Sequence, residues 1–283
     1  DMATLLAQLE RDGHGWWRTG AAVVLVGGIA TAALVRDDTV DPCANRDPLA
    51  STWNDDARTQ LEHAFVATGA SFAADAWVRV ATELGAYIEA WRAADLALCK
   101  GDTAAVSDDL RTASALCLED RRRALEAQIE VLGAADRATI GNAVRAVLAL
   151  PAVASCSDVA FLGARVKPPD DPAIAAKVDE LDRGVSTARA FIAAGDFASA
   201  LVTATPLVPT ARELDYLPAL ARTLAARSRA ESGMGRFAIA LATGMESYVL
   251  ALEAGDDELA ADIALEVAFL LGTKLSDTAK GLE

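Results

Sequence analysis

A run of sixteen residues without a charged side chain, residues 20–35, follows Trp16, Trp17 and Arg18 near the start of the chain. As a helix this run would be about 24 Å long, and counting from Trp16 brings it to about 30 Å, the thickness of the hydrocarbon core of a bilayer. Tryptophan rings favour the membrane interface, and a flanking arginine can reach the headgroups. The sequence therefore predicts a transmembrane helix over residues 16–36, with Trp16, Trp17, Arg18 and Arg36 at the interfaces.

Two other interpretations of this segment stay open. Residues 30–32 have the small-x-small form of a signal-peptide cleavage site, and a buried core helix can be equally apolar. Arg11 and Arg18 precede the span and only Arg36 follows it, so the positive-inside rule places residues 1–15 in the cytoplasm as a tail. The rest of the chain then lies on the outer side of the cytoplasmic membrane. Small residues within the span would permit a homodimer.

The composition of the chain favours helices over strands. Hydrophobic residues make up 53% of it but aromatic residues only 5%, and alanine and leucine, which are strong helix formers, supply much of the rest. We expect an all-α fold. The net charge of −15 lies entirely beyond Arg36, because residues 1–36 carry three acidic and three basic side chains. An acidic surface of this kind argues against nucleic acid and anionic lipid as partners.

The four cysteines all follow the predicted span, at Cys43, Cys99, Cys117 and Cys156. An even number of cysteines in an exported region indicates disulfides, although four cysteines allow three connectivities and buried free thiols are the alternative. Cys99 ends one predicted helix and Cys117 lies about two turns into the next. We therefore expect a hairpin that pairs Cys99 with Cys117, which leaves Cys43 to pair with Cys156.

Four helices are predicted in residues 37–165. The first runs from about Trp53 to Ala67, the second covers about residues 72–98, Ser107 caps the third, and Asp136 opens a fourth that Pro151 ends. Apolar side chains recur at three- and four-residue spacing in the long second helix. We interpret this region as an up-and-down helical bundle that the disulfides hold together.

A proline-rich segment, residues 166–172, is the predicted linker to a second region, residues 173–283. A seven-residue pattern recurs there forty residues apart, as Gly195-Asp196-Phe197-Ala198-Ser199-Ala200-Leu201 and Gly235-Arg236-Phe237-Ala238-Ile239-Ala240-Leu241. A weaker restart follows at Gly255. Glycine permits a tight turn, the aromatic ring fills the corner, and alanine and leucine let two helices pack closely. The pattern therefore predicts repeated helical hairpins.

Patterns that carry catalysis or bind metals are missing from the sequence. His14 and His63 are isolated, and no glycine-rich phosphate loop or nucleophile elbow occurs. The basic run at residues 121–123 is flanked by Glu119 and Glu126, so we interpret it as a solvated helix face. We expect no catalytic residue, metal site or cofactor in this chain.

Two resemblances extend these predictions. The Gly-x-Phe-x-x-Ala-Leu units resemble tetratricopeptide repeats in a version longer than the common form. Nearly the whole chain also resembles the region around and after the membrane span in tetratricopeptide-containing serine/threonine protein kinases of myxobacteria and their relatives. The matching residues are Pro42-Cys43, Trp53, Arg58, Ala64-Phe65-Val66-Ala67-Thr68-Gly69, Trp77, Tyr87, Trp91, Cys99, Cys117-Leu118 and Cys156.

This resemblance implies a role without catalysis. In that family a cytoplasmic kinase domain precedes the span, and residues 1–12 are similar to its last helix, but every kinase catalytic motif is missing from this chain. We expect a sensor region of a single-pass receptor-type kinase that binds a protein or peptide of the envelope. Helices near residues 216–231 and 257–271 would line its groove, with contacts from Tyr216, Arg222 and Arg229. The alternative is a standalone envelope adaptor or scaffold without a signalling role.

Overall fold

A computed structural model describes Cys43 and residues 46–101 and 107–275. Contacts divide the chain into two units, residues 1–46 and residues 47–283. The predicted tail at residues 1–15 and the predicted transmembrane helix at residues 16–36, including Trp16, Trp17, Arg18 and Arg36, lie outside the described residues. Every regular element in the described part of the chain is helical, which confirms the all-α prediction.

Eleven α-helices follow one another within residues 47–275. A short 3₁₀ helix, Val153–Ser157, separates α4 from α5, and one π-helical turn, Leu270–Lys274, follows α11. The α-helices are α1 (Asp55–Ala67), α2 (Ala73–Lys100), α3 (Asp108–Gly133), α4 (Arg137–Leu148), α5 (Val159–Ala164), α6 (Pro172–Ala194), α7 (Phe197–Ala204), α8 (Leu207–Glu213), α9 (Leu217–Gly233), α10 (Phe237–Glu253) and α11 (Asp257–Phe269).

Local sequence signals set the helix boundaries. The side chains of Asn54, Ser107 and Asp136 each accept a hydrogen bond from a backbone N–H in the first turn of α1, α3 and α4. Gly101 ends α2 in the left-handed conformation, which glycine adopts without steric cost. Asp171 caps α6, whose first residue is a proline with no N–H to satisfy. The predicted starts of the helices that begin the bundle region are therefore confirmed to within a few residues.

Large apolar side chains fill the core between α1, α2, α3 and α4. Phe65 is fully buried, and its ring meets that of Trp77 edge to face with 5.6 Å between the centroids. Trp91 is also buried, and its indole N–H donates to the carbonyl of Leu118 at 2.8 Å, so its polar edge is satisfied. This core joins the long helix α2 to α3.

The disulfide pairing differs from the prediction. Cys117 bonds Cys156, with 5.4 Å between their Cα atoms, so neither of the expected pairs forms. All four cysteines, including Cys43 and Cys99, are disulfide-bonded, which confirms that none is a free thiol. The reason lies after α4, where Pro151 stops the helix and the following 3₁₀ helix returns against α3. Local hairpin geometry was therefore the wrong guide to the partner of Cys117.

One described segment, Arg137–Ser157, is apolar and long enough to cross a membrane by length and composition. It consists of α4, an interruption at Pro151 and the 3₁₀ helix, and about a third of its apolar window is buried inside the protein. Ile140, Val147 and Val153 lie in the same core as Phe65. The segment therefore contributes to the core of the bundle.

Helix α6 packs directly against the bundle. Ala190 and Ala194 of α6 share an apolar cluster with Ala127 and Val131 of α3 and a residue of α4. Arg123 of α3, whose side chain is only 10% exposed, adds an ion pair to Asp179 of α6 with 2.6 Å between nitrogen and oxygen. Arg123 is thus not on a solvated face, in contrast to the interpretation of the basic run.

Candidate interaction surface on the C-terminal helices

Three turns of the same geometry connect the helices that follow the bundle. Gly195, Gly235 and Gly255 all adopt positive φ, at 83°, 74° and 71°. After each glycine, the next backbone N–H donates to the carbonyl five residues earlier, at 2.9 Å in all three turns. This is the Schellman arrangement that ends a helix and reverses the chain. The two glycines of the seven-residue pattern therefore lie at equivalent turns, and the weaker restart at Gly255 forms a third.

The remaining pattern residues lie at equivalent places in α7 and α10. Phe197 and Phe237 are the first residues of these helices, Ala200 and Ala240 are fully buried, and Leu201 and Leu241 are half-buried. The ring of Phe197 lies so close to Gly233 that a Cβ there would be 2.1 Å from a ring carbon. The aromatic residue therefore fills the corner between consecutive hairpins, and its partner has to be a glycine.

Small side chains let α9 and α10 approach closely. Ser228 of α9 donates to the carbonyl of Ala240 at 2.8 Å, and Ser247 of α10 donates to the carbonyl of Ala221 at 2.6 Å. A Cβ at Gly244 would lie 3.0 Å from the hydroxyl oxygen of Ser228. Direct hydrogen bonds from hydroxyl groups to the backbone therefore replace bulky apolar contacts at this interface.

Helix α9 packs between α6 and α11. Leu220 and Leu224 of α9 share one apolar cluster with Leu181 of α6, and Ala225 of α9 shares another with Ile263 of α11. The first helices of successive hairpins thus lie side by side. Their adjacent polar positions form one surface, here called the arginine face, which contains Asp182, Arg189, Arg222, Arg229, Asp262 and Glu266.

Two of the three arginines on the arginine face are fully engaged. Arg222 of α9 donates from Nε and Nη2 to the two carboxylate oxygens of Asp182, both at 3.1 Å. Arg229, two turns later, donates from Nε to Glu266 at 2.9 Å and also pairs with Asp262. Burial alone would lower the pKa of Arg229, but these two carboxylates raise it above its ordinary value. The pairs therefore link α6, α9 and α11.

The third arginine, Arg189 of α6, has no such partner. Among the described residues it forms no ion pair, and its buried Nε donates no hydrogen bond. Burial lowers the pKa of Arg189 to about 10, and the nearby charges of Arg229 and Arg222 act in the same direction. The group stays protonated at neutral pH. Within the described residues, Arg189 is thus an unpaired cation near two arginines that are already paired.

A buried acid also lies in α9, but it serves packing. Glu231 is 2% exposed, accepts a hydrogen bond from Thr243 of α10 at 2.7 Å, and pairs with Arg227 at 2.8 Å. Both carboxylate oxygens are therefore occupied. Within residues 46–101 and 107–275, no group of three or more His, Cys, Asp or Glu side chains is placed to hold a metal ion.

The predicted groove residues lie in or beside α9, where the sequence placed them, but none is free. Tyr216 immediately precedes α9, and its hydroxyl donates to the carbonyl of Lys167 at 2.7 Å. Arg222 and Arg229 form the ion pairs described above. Sequence reasoning missed Arg189, although it lies seven residues after Asp182 and so two turns along the same face of α6.

A surface cleft of about 270 Å³ lies in the bundle, well apart in sequence from the arginine face. Trp53, Arg58, Trp77, Val78, Ala81, Thr82 and Gly85 line it. Trp53 and Trp77 also pack against the bundle core, so their position is explained by packing.

Comparison with known proteins adds no further information on function, since no family model, curated protein or solved structure matches this chain.

Proposed function

We propose that this chain is the non-catalytic, protein-binding region of a single-pass membrane receptor, and that it binds a protein or peptide of the envelope on the face shared by α6, α9 and α11. The observation that supports the proposal most is the set of three equivalent Schellman turns, at Gly195, Gly235 and Gly255. These turns bring the first helices of successive hairpins onto one surface. Stacked hairpins of this kind present extended surfaces to ligands, as tetratricopeptide-like repeats do.

The disulfides support a location outside the cytoplasm. All four cysteines are disulfide-bonded, and such bonds persist in oxidising compartments such as the bacterial periplasm. This location agrees with a chain that the predicted helix at residues 16–36 anchors in the cytoplasmic membrane, with residues 1–15 in the cytoplasm. The resemblance to myxobacterial serine/threonine kinases would make that receptor a kinase.

Exposed apolar side chains lie next to the arginine face. Leu265 and Phe269 of α11 are 74% and 49% exposed, and they lie three and seven residues after Asp262, on the same side of the helix. Large apolar side chains beside a set of fixed charges are typical of protein-binding surfaces. We therefore assign Leu265 to the apolar part of the ligand contact.

A pair of matched substitutions tests the proposal. The full chain is purified in detergent, immobilised and incubated with envelope extract, and retained proteins are identified by mass spectrometry. Leu265→Asp should reduce retention of the specific partner at least tenfold, because it places a charge in the contact. Val202→Asp on α7 is the control, since Val202 is 76% exposed and lies on the second helix of a hairpin.

Either of two results would overturn the proposal. One is equal retention of the same proteins by wild type, Leu265→Asp and Val202→Asp. The other is the absence of any specifically retained protein. The receptor-kinase assignment has its own test in the genomic sequence upstream of Asp1, where an in-frame kinase domain supports it and a start codon next to Met2 favours the standalone adaptor.

A further inference from the structure

Arg189 stands apart from the other charged side chains of the arginine face because, in the part of the chain that the structure describes, it alone forms no ion pair and its buried Nε donates no hydrogen bond. Arg222 and Arg229 have their guanidinium groups occupied by Asp182, Asp262 and Glu266. A buried donor without a partner destabilises the folded protein, so native proteins seldom keep one. In this chain the donor without a partner is the Nε of Arg189, on the face shared by α6, α9 and α11.

We infer that Arg189 binds one carboxylate group of the protein ligand, presented by an aspartate, a glutamate or a chain terminus. The inference rests on the proposed function, because it takes the arginine face as the ligand contact. A carboxylate that approaches the outer end of the guanidinium accepts from both terminal nitrogens in the bidentate geometry that arginine favours.

The charges around Arg189 favour a carboxylate over a phosphate. Three arginines and three carboxylates make up the arginine face, so its own charges balance, and only Arg189 is left to pair. One uncommitted guanidinium matches one monovalent carboxylate. A phosphate dianion would need further free cations, and it would be repelled by Asp182 and Asp262.

The first experiment needs no partner. The Nε–Hε resonances of the arginines in the full ¹⁵N-labelled chain, in detergent, are followed while sodium acetate, sodium phosphate or sodium chloride is added at constant ionic strength. We expect acetate to shift the Arg189 resonance along a saturable curve, and chloride to leave it unchanged. Arg189→Gln, which lacks the resonance, assigns it.

Arg183 is the internal control for this titration. It lies on the same helix, its side chain is 62% exposed, and it is paired with Asp179, so it should show no saturable shift. A shift of Arg189 that is not saturable and matches that of Arg183 would overturn the inference. So would tighter binding of phosphate than of acetate.

The second experiment separates this inference from the proposed function. Capture of the partner from envelope extract is compared for Arg189→Gln and for Arg183→Gln, which remove the same charge from the same helix. We expect at least a tenfold loss for Arg189→Gln and no change for Arg183→Gln. Capture unchanged by Arg189→Gln but lost in Leu265→Asp would refute the role of Arg189 and leave the protein-binding function intact. A saturable acetate site without any captured protein would refute the proposed function and, with it, the assignment of that carboxylate to a protein ligand, while Arg189 would remain a carboxylate site.

Discussion

The bundle formed by α1–α5 and the hairpins formed by α6–α11 are both helical, but different interactions hold them together. The bundle core contains Phe65, Trp77 and Trp91, and a disulfide between Cys117 and Cys156 closes it. Alanine is the most frequent buried residue of α9, and hydroxyl groups hydrogen-bond across to the neighbouring helix. Large side chains fix the bundle by the apolar area they bury, whereas in the hairpins small side chains also let α9 and α10 approach closely.

This difference bears on the ligand contact that we propose. In the bundle, the aromatic residues that line the surface cleft also belong to the core, so a change there disturbs the fold. In the hairpins, Leu265 and Phe269 beside the arginine face are exposed and belong to none of the apolar clusters that α9 forms with the described residues. We therefore expect a substitution at Leu265 to affect the proposed ligand contact more than the packing of the hairpins.

The largest effect should come from the disulfide. The double variant Cys117→Ala/Cys156→Ala opens a loop with a sequence separation of 39 residues, for which chain entropy gives a loss of about 4 kcal/mol in the free energy of unfolding. Denaturant unfolding followed by circular dichroism measures it. A loss below about 1 kcal/mol would mean that the Cys117–Cys156 bond contributes little to the stability of the bundle.

A large-to-small change in the bundle should be the next most costly. Leu84 is fully buried, and Leu84→Ala should lower the free energy of unfolding by about 3 kcal/mol through lost burial and a new cavity. Leu148→Ala removes the same atoms from a side chain that is 64% exposed and should change stability by less than about 0.5 kcal/mol. Equal effects in chemical denaturation would contradict the bundle core described above.

A small-to-large substitution should lower the free energy of unfolding more in the hairpins than in the bundle. Gly233→Ala places a Cβ within van der Waals overlap of the Phe197 ring, and we expect a loss of about 2 kcal/mol as the ring shifts. Gly141→Ala in α4, where no atom lies within 4 Å, should instead stabilise the protein by about 1 kcal/mol through helix propensity. Stabilisation by both substitutions would show that Phe197 does not fill this corner.

Local features of this fold could be predicted from the sequence. The caps at Asn54, Ser107 and Asp136 and the turns at Gly195 and Gly235 depend on residues within one or two helical turns. A short sequence window contains everything these features need, namely a side-chain acceptor for a free N–H or a residue that tolerates positive φ. The helix boundaries could be predicted because they depend on these caps and turns.

Features that depend on distant residues could not be predicted. The partner of Cys117 depends on how the chain returns after Pro151, and a spacing pattern does not contain that path. The same holds for the arginines of the face. Arg222 and Arg189 look alike in sequence, yet Asp182 pairs with one and leaves the other without a partner. The lack of a partner is a property of the tertiary structure alone.

We propose above that Arg189 is kept for a ligand and not for stability. The free energy of unfolding of Arg189→Met, measured in the absence of ligand, tests this. Since the variant removes a buried donor without a partner, we predict an increase of about 1 kcal/mol, while Arg183→Met changes stability by less than about 0.5 kcal/mol. A decrease of about 1 kcal/mol for Arg189→Met would show that Arg189 stabilises the fold and would contradict the claim.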